Sequence, residues 1–203
     1  MKNMLRKTFA ILFVLMSVIP AAVAAPENAP AVGSFTGIIE AINPFENGDW
    51  ENTAWLITLK DENDGQASFI VHESTYHATE IELEMGKPLT GYFDAGVPMT
   101  RIYPPQYTAV AVAVLPEGTF IKVDRFDEHF LSSDGELQLN IDANTPIVDQ
   151  HNMPYEGGVA DQLLVVYYNM TTMSIPAQTS PVKIVVLTAG DRDTAAVILI
   201  EVN

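Results

Sequence analysis

Apolar and polar positions alternate along most of the chain in short runs separated by turn residues. Residues 34–42 (SFTGIIEAI) set Phe35, Gly37, Ile39 and Ala41 against more polar neighbours, the period-two pattern of a half-buried strand. Similar runs cover 55–59 and 67–72, with DENDG at 61–65 between them. Asp64-Gly65 flanked by two alternating runs predicts a hairpin turn. Strands are also expected over 89–93, 108–115 and 120–123. Residues 79–88 (TEIELEMGKP) read two ways. Glutamates alternate with Ile81, Leu83 and Met85 as in a strand, yet Glu, Leu and Met are also good helix formers. Gly86 is expected to turn the chain there. No stretch keeps a 3.6-residue period over a dozen positions, so the expected fold class is all-β with little helix.

The pattern occurs twice. Residues 91–115 (GYFDAGVPMTRIYPPQYTAVAVAVL) and 165–187 (VVYYNMTTMSIPAQTSPVKIVVL) each carry an aromatic pair, a polar loop, Pro-x-Gln and a run rich in β-branched residues. Pro104 and Gln106 match Pro176 and Gln178 at an offset of 72 residues, while Tyr92-Phe93 and Tyr167-Tyr168 match at 75. At an offset of 70, Asp134-Gly135 answers Asp64-Gly65, and Leu139, Ile141 and Thr145 answer Phe69, Val71 and Thr75. Residues 120–123 are expected to answer Phe35–Ile39, and the first copy is longer mainly through 43–53. Units of about 70–80 residues suit small five- or six-stranded barrels of the oligonucleotide/oligosaccharide-binding (OB) kind. A β-sandwich is the alternative, without the Cys–Trp–Cys pattern of immunoglobulin domains. The boundaries read as 34–117 and 118–203, the second unit closing with an extra strand over 194–202.

The first 24 residues change the picture of charge. Lys2, Arg6 and Lys7 precede an apolar run, Pro20 and the small residues Ala22-Val23-Ala24, as in a secretory signal peptide. The run is too short for a span, so no membrane crossing is expected after cleavage. A Pro- and Ala-rich arm, 25–33, follows. Loss of the signal leaves 10 − 3 = 7 basic residues against 26 acidic ones, a charge of about −19. Such a chain repels nucleic acid and anionic lipid. The absence of cysteine removes disulfides, thiol catalysis and thiolate metal sites. With the short charged leader, it points to a bacterial source.

Candidate chemistry is sparse. His72-Glu73 and His77 miss the H-E-x-x-H spacing that sets two imidazoles on one helical face, so a strand end and turn are expected. Asp61–Gly65 puts glycine one place too early for a calcium loop, which favours the hairpin. Asp124, Asp127, Glu128 and His129 form a second acidic cluster, and Asp191 with Asp193 a third; solvated turns are expected at both. No serine sits in G-x-S-x-G, and no pair of acids stands out for glycoside hydrolysis. No catalytic residue, metal ligand or cofactor is assigned. The binding candidates are the Pro-x-Gln loops: Tyr103, Gln106 and Tyr107 in one copy and Gln178 in the other. Aromatic and amide groups together suit sugar or peptide recognition. Recurrence in both copies favours a structural clasp, in which proline stops the ladder and the amide satisfies loop backbone groups.

TGYFDAGVPMTRIYPPQYTAVAVAV and SIPAQTSPVKIVVL resemble an uncharacterised group of secreted proteins from clostridia and related bacteria. In that group a duplicated β-region stands alone or beside a domain similar to the amino-terminal region of copper amine oxidases. The resemblance covers most of 34–187 and implies an extracellular location and a β-fold, with no established activity. The expectation is a secreted or cell-envelope, non-catalytic module that binds a protein or polysaccharide. The alternative is a self-assembling surface subunit, pairing strands through 194–202 and the 25–33 arm.

Overall fold

The computed structural model describes residues 31–45, 54–80, 83–98, 101–114 and 118–187. The expected signal peptide, most of the arm, most of the 43–53 loop and the closing strand expected at 194–202 lie outside them. Every regular element among the described residues is a strand, and no helix is present.

The first half holds β1 (Val32–Pro44), β2 (Ala54–Lys60), β3 (Gln66–His72), the short β4 (Tyr76–His77), β5 (Pro88–Asp94) and β6 (Gln106–Ala113). They form one sheet in the order β3-β2-β1-β5-β6-β4. β3 also pairs in parallel with β6, so the sheet returns on itself as a ring. Alternation decides what fills the ring: Ile39, Ile57, Leu59, Phe69, Leu89 and Val112 point inward and are buried together. Gly91 permits a close approach inside the ring. A Cβ there would lie 2.6 Å from the ring of Phe69.

The hairpin expected at Asp64-Gly65 is present. Asp64 adopts a positive φ of 63°, and Asp61 Oδ1 accepts the N–H groups of Asn63 and Gly65. Among residues 79–88, those described before Pro88 are loop and turn rather than strand or helix, with Gly86 at φ 86° and Pro88 opening β5.

The second half holds β7 (Phe120–Arg125), β8 (Leu137–Leu139), β9 (Ile147–Asp149), β10 (Leu163–Tyr168), β11 (Ala177–Thr179) and β12 (Lys183–Leu187). Four of them form a sheet in the order β7-β10-β12-β9, and β8 pairs with β11. The registers reproduce those of the first half. Ser68 faces Gln106 as Gln138 faces Gln178, and His77 faces Val112 as Ile147 faces Ile184. The His72–Thr75 turn, in which Thr75 Oγ1 accepts the N–H of His72, recurs as Asp142–Thr145. Cis peptide bonds precede both Pro104 and Pro176.

One expected equivalence shifts by two residues. Ser34 faces Tyr92 and Ile121 faces Tyr167, so Phe120 holds the place of Gly33 rather than of Phe35. The cause is a relocated aromatic contact. Phe93 lies over Gly33 and stacks on Tyr107, whereas its counterpart Tyr168 stacks on Phe120.

A second core fills the inside of the later half, around Phe126, Leu139, Leu164, Val166 and Ile184. A third lies between the halves. Tyr92, Ala111 and Ala113 from β5 and β6 pack with Val123, Val165, Val185 and Leu187 from β7, β10 and β12.

Candidate functional site

The Pro-x-Gln loops sit where β5 and β10 hand over to the strands that pair in parallel. In the first half, Asp94 Oδ1 accepts the N–H of Gly96, and Pro105 O accepts the N–H of Ser68. Gln106 opens β6 opposite Ser68. Tyr107 is half-buried and stacks on Phe93 at 3.8 Å between ring centroids, with Phe69 at 5.7 Å. It is therefore part of the packing inside the ring. Tyr103 is 76% exposed, and Val97 and Ile102 are also exposed.

In the second half, the hand-over differs because Pro181 interrupts the strand. β5 and β6 stay paired out to Phe93 and Ala109. The pairing of β10 with β12 stops at Tyr167 and Lys183, with the Val182 N–H still reaching Tyr167 O at 2.7 Å. Proline has no N–H to continue the ladder. The break separates β11, which pairs with β8, from β12, and a groove of about 410 Å³ opens there.

Asn169, Met170, Thr171 and Thr172 line one side of this groove. Gln178, Thr179, Ser180 and Val182 line the other, with Asn140 beside them. Main-chain bonds clasp the loop to β11. The Thr172 N–H donates to Gln178 O and the Gln178 N–H donates to Thr172 Oγ1, both at 2.9 Å, while Thr179 Oγ1 donates to Met170 O at 2.6 Å. The clasp expected of the glutamine amide is thus made by the Gln178 main chain. Its side chain is exposed, with Oε1 accepting from Asn140 Nδ2 at 3.5 Å. None of Tyr103, Gln106 and Tyr107 lines this groove, so the four predicted residues do not converge.

The acidic cluster around 124–129 divides. Asp127 Oδ1 accepts the N–H groups of His129 and Leu131, forming a tight exposed turn. Asp124 instead points inward and is 1% exposed. Its Oδ1 accepts from Ser133 Oγ at 2.6 Å and from the Arg125 N–H at 2.8 Å. Its Oδ2 has no hydrogen-bond partner, the Lys122 ammonium standing 3.8 Å away. Lys122 also pairs with Asp134, which accepts from Ser132 Oγ. Burial pushes the Asp124 carboxyl above its ordinary pKa, only partly opposed by Ser133 and the Arg125 N–H. Burial also raises that of Asp134, but Lys122 and Ser132 together hold it below the ordinary value. Ser133 Oγ in turn accepts the Ala31 N–H at 2.7 Å, tying the start of β1 to the second half.

No group of three or more histidines, aspartates or glutamates is arranged for a metal ion among the described residues. Asp191 and Asp193 lie outside them. His72 ends β3, its Nδ1 beside Ser74 Oγ at 2.8 Å, in the turn expected there. Sequence reasoning did not find the groove or the Lys122–Asp124–Asp134 network. The readable signal for the groove was Pro181, a break inside an otherwise apolar strand.

Comparison with known proteins finds no matching family model, no matching curated protein and no matching solved structure.

Proposed function

We propose that the chain is a secreted or cell-envelope, non-catalytic binding module built from two tandem homologous units of OB-like barrel type. The strand order of the first half supports the barrel reading. A three-strand meander, β1 to β3, is followed by β5 beside β1 and by β6 closing in parallel on β3. That is the Greek-key order of a five-stranded barrel. The repeated registers support the duplication, and the resemblance to secreted clostridial proteins supports the location.

The observation that carries binding is the groove at the β10–β11 hand-over. It is an open cleft whose lining side chains are exposed apart from the buried Thr179, within the roughly 300–1,000 Å³ range of small-ligand clefts. The partner is an envelope protein or polysaccharide. The test is co-sedimentation of the purified chain with envelope fractions of a Gram-positive bacterium, together with its oligomeric state by ultracentrifugation. A monomer that partitions with one fraction supports the module. A chain that binds no fraction, or whose only association is with itself, overturns it.

A further inference from the structure

From the lining of the β10–β11 groove we infer that its ligand is an uncharged polysaccharide segment; this rests on the binding-module reading above. The first argument is electrostatic. The protein carries 26 acidic residues against 10 basic ones, yet residues 169–182 (NMTTMSIPAQTSPV) contain none of either kind. The lining is uncharged throughout: three amides (Asn140, Asn169, Gln178), four hydroxyl residues (Thr171, Thr172, Thr179, Ser180) and two apolar side chains (Met170, Val182). A cationic ligand would find no counter-charge here, and an anionic one would be repelled by the surrounding protein.

The second argument is the match of donors and acceptors. The hydroxyls of Thr172 and Thr179 are taken up by the clasp, which leaves those of Thr171 and Ser180, each able to donate and accept, beside carboxamides that offer N–H donors and a carbonyl acceptor. A sugar hydroxyl is also donor and acceptor at once, so amides can pair with neighbouring hydroxyls of one ring. The Met170 and Val182 side chains suit the C–H face of a pyranose. The third argument is rigidity. The clasp of Thr172 and Met170 onto Gln178 and Thr179 fixes both walls before a ligand arrives, which limits the entropy lost on binding.

Isothermal titration of the full secreted chain tests this with soluble hexaoses of glucose, mannose and xylose. Polygalacturonate and chitosan oligomers serve as charged comparisons. At least one uncharged hexaose is expected to bind, with little change between about 50 and about 500 mM salt because no ion pair is formed. Gln178→Ala and Asn169→Ala are each expected to weaken it about tenfold, whereas Glu62→Gln, on the exposed Asp61–Gly65 hairpin of the first half, leaves it unchanged. Both altered side chains are exposed, so near-ultraviolet circular dichroism should match the parent chain. The inference is overturned if none of the uncharged hexaoses binds, or if Gln178→Ala binds like the parent with an unchanged spectrum. Binding to a charged polymer or an envelope protein alone overturns the ligand class and leaves the module standing. Silence across every envelope fraction overturns both.

Discussion

The phenolic hydroxyl of Tyr167 donates to the carbonyl oxygen of Ala78 at 2.6 Å and meets the Tyr76 hydroxyl at 3.2 Å. One side chain of β10 thereby satisfies a main-chain acceptor just beyond β4, across the junction of the halves. Tyr167→Phe keeps the ring and removes the donor, leaving a buried carbonyl unmet. The expected loss is about 1–3 kcal/mol, the cost of an unsatisfied buried polar group, read as a lower urea midpoint at unchanged slope.

The same junction responds to alkali. Burial, with the Tyr168 charge as a smaller cause, pushes the Tyr92 phenol up to about 12. Burial and the Tyr76 hydrogen bond raise that of Tyr167 as well. A phenol with a raised folded pKa keeps its proton while the unfolded chain, near about 10, has lost it. The contribution to stability is intact below about pH 10 and is lost as pH rises through the folded value. Phenolate absorbance and loss of β circular dichroism should rise together between about pH 10 and about pH 12.

Tyr107 and Tyr103 have opposite expectations although four residues separate them. Tyr107 is half-buried, stacked on Phe93 and tilted against Phe69, so Tyr107→Ala should cost about 2–3 kcal/mol, below the range for fully buried rings. Tyr103 is mostly exposed, and Tyr103→Ala should stay within about 0.5 kcal/mol of the parent. Thermal melts of the two variants separate these outcomes.

Gly91 and Phe69 form a pair that the second half rewrites as Val166 and Leu139. A smaller inward residue at one position makes room for a larger one at the other. Gly91→Val alone drives a branched side chain into the Phe69 ring and should cost about 1–3 kcal/mol or more. Combined with Phe69→Leu, part of that cost should be recovered, giving a favourable coupling energy in a double-mutant cycle.

Burial disfavours the charged form of Asp124. Its raised folded pKa means that its contribution is fully present below the unfolded value near about 3.9 and falls as pH rises through the folded value. Asp124→Asn should flatten that fall and leave stability at neutral pH equal to or above the parent. Lys122→Met should do the reverse. It removes the cation shared by two carboxylates and should cost about 2 kcal/mol, between the values for exposed and fully buried pairs.

Much of the fold was legible because burial on one face writes a period of two into each strand. Asp64-Gly65 and the repeated Thr75 and Thr145 turns are local, and local chemistry is visible in sequence. The two-residue slip at Phe120 was not, because it depends on which neighbour an aromatic ring stacks against. Phe93 has its partner on β6, Tyr168 has its partner on β7, and alignment of aromatic landmarks follows the ring rather than the backbone. At the candidate site, Gln178 was found and Asn140 and Asn169 were missed. Their position beside it arises from a strand break, whose consequence for β11 depends on pairing with the distant β8. The packing of Tyr107 on Phe93 was not legible, because sequence shows that a residue is aromatic but not which side of the sheet it faces.

The core between the halves has a consequence for assembly. Tyr92 and Tyr167 hold equivalent places in the two registers, as do Ala78 and Val148, and Ala113 and Val185, and all six belong to that core. The halves therefore meet through the same patch, as subunits do about a two-fold axis. Such a contact is self-saturating: each copy's patch is consumed by the other, and a third unit finds none to dock on. Within one chain the contact closes on itself instead of propagating, so any polymer of this protein has to be built from a different surface.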